Sequence, residues 1–425
     1  MVLPLRTIFC LAVAMGSLSV AAQSSSSSSK WVTTWITANA AAEGPAASSN
    51  RSFSNQTLRE VVHTTVGGRA LRLRLSNTFG PGAIRFDAVY IGLQKEDATL
   101  VPASNHQVTF GGSPSIAIPE GAEVLSDPVS FAVGPQQNLV ISLFTAGETG
   151  PATRHDSAFQ TNYVSGAGNF APDEGGGAFV KTAGSWYFLS AVEAEVLAPA
   201  NLKGSSSMHG AGAVVALGDS ITDGASSRPD KNERWTDVLA QRLLAKHTEI
   251  AVLNAGIGGN RVLTSSPCFG QNAVARLRRD VLSQVGIKAV ILFEGINDIG
   301  QPDTPIAATN PCLSRTQVTA EEIIVGYKQI IVRTRAAGLK IFCGTILPYQ
   351  GSAGWTVTGE AKRVAVNQWI RTSGAFDGVI DFDAALRDPA APTRMAPQYD
   401  SGDHLHPGPA GQAAMGNAVH LDLLR

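Results

Sequence analysis

Gly218-Asp219-Ser220 closes the apolar run Ala213-Val214-Val215-Ala216-Leu217, and Asp403-His404-Leu405-His406 answers it far down the chain. The run is short, rich in β-branched residues and stopped by a glycine, which predicts a buried strand. A serine just past such a strand stands at the rim of a sheet, open to a ligand. An unactivated hydroxyl is a poor nucleophile near neutral pH, so it needs a base, and the base needs a carboxylate to orient it. Asp403 and His406 lie three positions apart, and a helical turn would set them on one face within reach of each other. Ser220, His406 and Asp403 are therefore the expected nucleophile, general base and orienting acid of hydrolytic acyl transfer. Alone, a Gly-Asp-Ser string or one histidine is more often structural than catalytic.

Two further segments change that balance. Asn254-Ala255-Gly256-Ile257-Gly258-Gly259-Asn260 follows an apolar run at 250–253, and Gly295-Ile296-Asn297-Asp298 follows another at 289–293. Both are glycine-bearing turns at the carboxyl ends of predicted strands, where open α/β sheets bind ligands. Taken in order, the four segments resemble the four blocks of the SGNH hydrolases, also called GDSL esterases, from about Gly212 onward. The resemblance implies Ser220 as nucleophile, His406 as base and Asp403 as its carboxylate. It also implies an oxyanion hole made of the backbone N–H groups of Ser220 and Gly259 and the side-chain amide of Asn297. Ile221 stands where the family name has leucine, at a position of apolar packing. Ser220 lacks the Gly-x-Ser-x-Gly elbow of the α/β-hydrolases. Three donors converging on one point suit the charged oxygen of a tetrahedral intermediate.

Asp403, His404 and His406 also admit a zinc reading, because alternate residues of an extended segment share a face. No further His, Cys, Asp or Glu with ligand spacing completes the shell, and the cysteines are distant in sequence. The triad is favoured, His404 is expected to be a solvent-facing neighbour, and no cofactor or metal is expected.

These residues need a scaffold. From Gly212 the pattern alternates strands near Val214, Val252, Val290, Ile341 and Val379 with helices over 234–247, 273–284, 320–337 and 359–372. That βαβ rhythm predicts a parallel sheet covered on both faces, and the resemblance implies a flavodoxin-like three-layer order over 212–425. Residues 31–200 read differently. Ala70-Leu71-Arg72-Leu73-Arg74-Leu75-Ser76 alternates with period two, and it follows the run 58–66 across Gly67-Gly68, which predicts a hairpin. Further short runs at 84–93, 115–118, 122–125, 138–144 and 188–196, separated by Gly and Pro, predict an all-β sandwich or jelly roll. Gly175-Gly176-Gly177 is expected in a surface loop. The β domain would bind carbohydrate, wall one side of the cleft or stabilise its neighbour. A β-sandwich ahead of an SGNH domain is similar in layout to some secreted carbohydrate esterases. Trp31, Trp35 and Tyr90 are expected in the core rather than under a sugar ring.

Arg6, the apolar stretch 8–14 and the small residues up to Val20-Ala21-Ala22 have the pattern of a secretory signal over 1–22, carrying Cys10 away with it. A Ser-rich linker follows over 23–30, and 201–211 joins the two domains. The chain of 425 residues is 44% hydrophobic and 16% charged, with a formal net charge of −1. Without a basic run it offers no electrostatic reason to bind nucleic acid or an anionic membrane, and no later segment is apolar enough to span a bilayer. Cys268 and Cys312 flank the two oxyanion loops and are expected to form a disulfide in an oxidising compartment, while Cys343 lies on a predicted buried strand. The expected protein is an exported monomeric esterase acting on a small-molecule or polysaccharide ester, most simply an O-acetyl carbohydrate. A lipase or arylesterase for longer acyl groups, and a glycan-binding protein with a vestigial esterase domain, are the alternatives.

Overall fold

The computed structural model describes residues 29–41, 52–197 and 211–424. The expected signal segment, most of the Ser-rich linker and nearly all of the interdomain linker lie outside the described residues. Ser29 and Lys30, assigned to the linker, begin a strand instead.

The N-terminal half is built of antiparallel sheets. One has the order Ser29–Ile36, Leu189–Leu197, Leu71–Ser76, Glu123–Leu125. The larger one runs Phe179–Ala183, Asn162–Ala167, Gln56–His63, Asn138–Thr145, Ala88–Glu96, Thr99–Leu100. Leu71, Leu73 and Leu75 of the first and Leu58, Val62, Leu139 and Ile141 of the second fill one core, the packing of a sandwich. The opposite face of the Leu71–Ser76 strand carries Arg72 and Arg74, which meet the buried carboxylate of Glu193 at 2.6 and 2.5 Å.

The predicted hairpin across Gly67-Gly68 does not form. Gln56–His63 pairs with Asn138–Thr145 and Asn162–Ala167, whereas Leu71–Ser76 pairs with Leu189–Leu197 and Glu123–Leu125. The glycines carry the chain from one sheet to the other. The N–H and C=O of Gly68 exchange 2.9 Å bonds with Val133, and a side chain at Gly67 would collide with the Val133 carbonyl. The single run expected over 84–93 is two strands, Ile84–Phe86 and Ala88–Glu96, which belong to different sheets. Asp87 breaks it, its carboxylate taking Arg85 and the N–H of Ala146. Trp35 is buried edge-on against Trp186. Half-buried Trp31 lies under the guanidinium of Arg72, and Tyr90 packs beside Ala88, Phe144 and Ala171. Gly175–Gly177 lies in the loop before Phe179–Ala183, as expected.

The C-terminal half holds five parallel strands in the order Ile250–Gly256, Gly212–Gly218, Ile287–Phe293, Lys340–Gly344, Gly378–Ile380. The second strand in sequence is thus outermost and the first lies between it and the third, the flavodoxin-like order with its switch point beside the first strand. Gly212–Gly218 is buried at every residue, as a strand covered on both faces must be. Helices Trp235–Ala245, Ala320–Ala336 and Val357–Thr372 fall close to their expected bounds. The helix expected over 273–284 is α-helical only over Ala273–Leu277 and then widens into a π-turn over Arg278–Leu282. Among the described residues no helix is long and apolar enough to cross a membrane.

The two halves are packed together. The N-terminal strand Ser29–Ile36 lies against Ile250–Gly256, Thr33 donates its N–H to Val285 at 3.0 Å, and one apolar cluster runs through both halves.

Candidate active site

Ser220 opens the helical turn Ser220–Asp223, and Asp219 caps that turn by accepting the N–H of Ile221. A Cβ at Gly218 would strike the Phe293 carbonyl and Thr222, so the sharp exit from the strand requires glycine. Ser220 Oγ lies 2.8 Å from His406 Nε2, and His406 Nδ1 lies 2.6 Å from Asp403 Oδ2. With a carboxylate at Nδ1 the ring carries its proton there, leaving the Nε2 lone pair for the hydroxyl. The expected helical turn between Asp403 and His406 is absent. Residues 402–406 form bends, with His404 at φ +62°. The Asp403 carboxylate itself folds the segment by accepting the N–H groups of Leu405 and His406 at 2.9 and 2.8 Å, as an Asx turn does. Partial burial works against its charge, but these bonds and the His406 imidazole hold the Asp403 carboxyl well below the usual carboxylate range.

The predicted oxyanion residues line the same cleft as Ser220 and His406. The N–H of Ser220 stands in the first turn of a helix, which has no acceptor of its own for it. Gly259 has φ +71°, and a Cβ there would enter the Phe269 ring. Asn297 spends one amide N–H on the Asn260 carbonyl at 3.0 Å, which fixes its plane and leaves the other for the cleft.

Residues that the sequence reading passed over hold these donors in place. Fully buried Arg276 donates to the carbonyls of Gly218 (2.8 Å) and Ala255 (2.6 Å) and to Asn260 Oδ1 (2.9 Å), so one guanidinium ties the nucleophile turn to the Gly259 turn. Asp298 takes the N–H groups of Val262 and Leu263, and Gln301 binds the Gly259 carbonyl at 2.8 Å. Beneath the nucleophile, burial pushes the carboxyls of Asp219 up to about 7 and Asp298 up to about 6. Burial, with Asp219 close by, also raises the Glu294 carboxyl well above the usual carboxylate range. Nothing in the local sequence marks Arg276, because the carbonyls it holds lie at Gly218 and Ala255.

The cleft has a volume of about 530 Å³. Phe269, Ile296, Ile306, Leu313 and Tyr349 give it largely apolar walls, and Ser157 and Phe159 of the β domain close one side. Cys268 and Cys312 are bonded, with Cα atoms 5.2 Å apart, and join the loops that carry Phe269 and Leu313. Cys343 is free and buried. His404 is exposed and turns to Asp400 at 2.6 Å, while both nitrogens of His406 are engaged, so the Asp403, His404 and His406 side chains do not converge. Among the described residues no group of three or more His, Cys, Asp or Glu is placed to hold a metal.

Residues 216–414 match the GDSL-like lipase/acylhydrolase family. Solved structures similar to the chain include LAE5, an alpha/beta hydrolase from the metagenome of Lake Arreo (20% identity, 51% of this chain and 98% of that one, TM-score 0.39). Another is the lipase/acylhydrolase from Enterococcus faecalis (20% identity, 49% and 92%, TM-score 0.37). A third is Est24, a carbohydrate acetylesterase from Sinorhizobium meliloti (16% identity, 49% and 95%, TM-score 0.38). No curated protein matches the chain in sequence.

Proposed function

We propose that this ester hydrolase, whose residues 216–414 form a GDSL-like lipase/acylhydrolase domain, is an exported serine esterase that removes short acyl groups, acetyl above all, from carbohydrate or other small alcohols. One observation carries the mechanism: Asp403, His406 and Ser220 form a continuous chain of 2.6 and 2.8 Å contacts at the cleft that Gly259 and Asn297 line. Ser220 Oγ attacks the acyl carbon as its proton passes to His406 Nε2. The carbonyl oxygen becomes an oxyanion held by the N–H groups of Ser220, Gly259 and Asn297. Collapse of the intermediate expels the alcohol, which takes the proton from His406. Water then repeats the sequence on the acyl-enzyme, giving its proton to His406 and leaving as part of the acid, and Ser220 regains its hydrogen.

Export is supported by the leader-like pattern of 1–22 and by the Cys268–Cys312 bond, which belongs to an oxidising compartment. The complete set Ser220, His406, Asp403, Gly259 and Asn297 speaks against a vestigial domain, and we propose that the enzyme works as a monomer without a cofactor. A second reading, hydrolysis of longer or aromatic acyl esters, is favoured by the apolar walls at Phe269, Ile306 and Leu313. Turnover of acetylated oligosaccharides against p-nitrophenyl esters of rising acyl length decides between them. The first reading requires kcat/KM to be greatest for acetyl. A steady rise with chain length establishes the second.

A further inference from the structure

We propose that the β domain belongs to the catalytic apparatus, with His155 serving as a positioning residue that holds the oxyanion turn through Asp223. The proposal rests on the reading of Ser220, Gly259 and Asn297 as the reacting centre.

His155 lies on the β-domain strand Arg154–His155, and Asp223 ends the helical turn that Ser220 begins. Both side chains are buried, at 4% and 6% exposure. His155 Nδ1 faces the Ala38 carbonyl and Nε2 faces Asp223 Oδ1, each at 2.9 Å. A carbonyl and a carboxylate only accept, so both ring nitrogens carry protons and the ring is an imidazolium. The second oxygen of Asp223 accepts the N–H of Gly258 at 3.0 Å, and the next residue is Gly259. A continuous path therefore runs from the Ala38 carbonyl through the imidazolium and the carboxylate to the turn that presents an oxyanion donor.

On the hydrolase side the same turn is steadied by Gln301, at the Gly259 carbonyl, and by Arg276, at Asn260. Without His155 the Asp223 carboxylate is a buried charge lacking its cation, an arrangement that forces movement or protonation. Either weakens the anchor at Gly258. Oxyanion donors act on charge that develops in the transition state, so their displacement lowers kcat and leaves substrate binding nearly unchanged.

The test uses the full-length enzyme acting on p-nitrophenyl acetate, with active sites counted by an organophosphate label. Relative to wild type, kcat per site should fall about tenfold in His155→Gln and about a hundredfold in His155→Ala, with KM within about twofold. Asp223→Asn should match the larger loss, and the double variant His155→Ala/Asp223→Asn should be no worse than Asp223→Asn alone, as for residues acting in series. Undiminished kcat in folded His155→Ala, or a rise in KM alone, overturns the proposal; the latter would make the segment a cleft wall through Ser157 and Phe159. Should His155→Ala fail to fold, unimpaired kcat in His155→Gln and Asp223→Asn overturns it equally. Activity persisting in Ser220→Ala would sink the reading of the centre itself, whereas an inactive Ser220→Ala beside fully active His155 variants sinks only the positioning role.

Discussion

At the scale of single residues, the proposed reacting groups and their supports should respond differently to substitution. Ser220→Ala removes one half-buried oxygen at a sheet rim, so the thermal midpoint should hold while esterase turnover and organophosphate labelling both vanish. A variant that still formed a covalent adduct would refute the assignment. Asn297→Ala should lower kcat by about 10²–10³ with KM little changed, the usual cost of one oxyanion donor. Arg276→Met should cost stability as well as rate, because two strand-end carbonyls and the Asn260 side chain lose a buried donor, and unsatisfied buried acceptors cost about 1–3 kcal/mol each; urea denaturation measures it. That Ser220, Gly259, Asn297 and His406 share one cleft, with Asp403 bound to His406, was legible because each sits in a short motif at or just past the end of a strand or in a turn. Arg276 and His155 were not. The Gly218 and Ala255 carbonyls held by Arg276 and the Asp223 carboxylate held by His155 lie far away in sequence, and nothing local marks a charge that will end up under a sheet or across a domain boundary.

Among the elements, the rim loops are the most informative. The Cys268–Cys312 bond closes a loop with a sequence separation of 44, which in the chain-entropy picture stabilises the fold by about 4 kcal/mol. Mild reduction, or Cys268→Ser with Cys312→Ser, should lower the urea midpoint. It should also reduce turnover before global unfolding, since Phe269 and Leu313 line the cleft. Activity that tracked the loss of fold without preceding it would show the bond to be remote from catalysis. The βαβ elements were legible because a parallel strand and its crossover helix each carry their own hydrophobic period. The β half was legible as strands but not as pairings. Gly67-Gly68 serves a two-residue hairpin and a crossing between sheets equally well, and only the Val133 backbone beside it decides. The Asp403–His406 contact was foreseen on a helical turn that does not exist. The Asx turn that replaces it satisfies the same spacing through side-chain hydrogen bonds.

At the scale of the whole molecule, the sandwich and the α/β unit share one apolar cluster. An autonomous fragment beginning near Gly212, which the change of pattern suggests, would expose the side of Ile250–Gly256 that Ser29–Ile36 covers. Calorimetry of the intact chain should show one cooperative transition, and the fragment should bind hydrophobic dye and aggregate. Two resolved peaks would mean that the junction is weak. The junction should also respond to pH. Burial opposes the charge on His155, but the Asp223 carboxylate, helped by the Ala38 carbonyl and by nearby Asp156, outweighs it and raises the pKa of the ring. A raised folded value means that the stabilisation is complete below the unfolded histidine value of about 6.5 and is lost as pH climbs through the folded one. The difference in thermal midpoint between wild type and His155→Gln should therefore be full below about pH 6.5 and shrink as pH rises above it. A constant difference would mean that the ring is neutral. The placement of the base has one more consequence, which concerns time. Ser220 and His406 are 186 positions apart, so under the proposed mechanism a ribosome delivers the nucleophile and every oxyanion donor well before the imidazole. Under that mechanism a nascent chain halted anywhere in that interval should be inactive, and esterase activity should appear only once translation has passed His406.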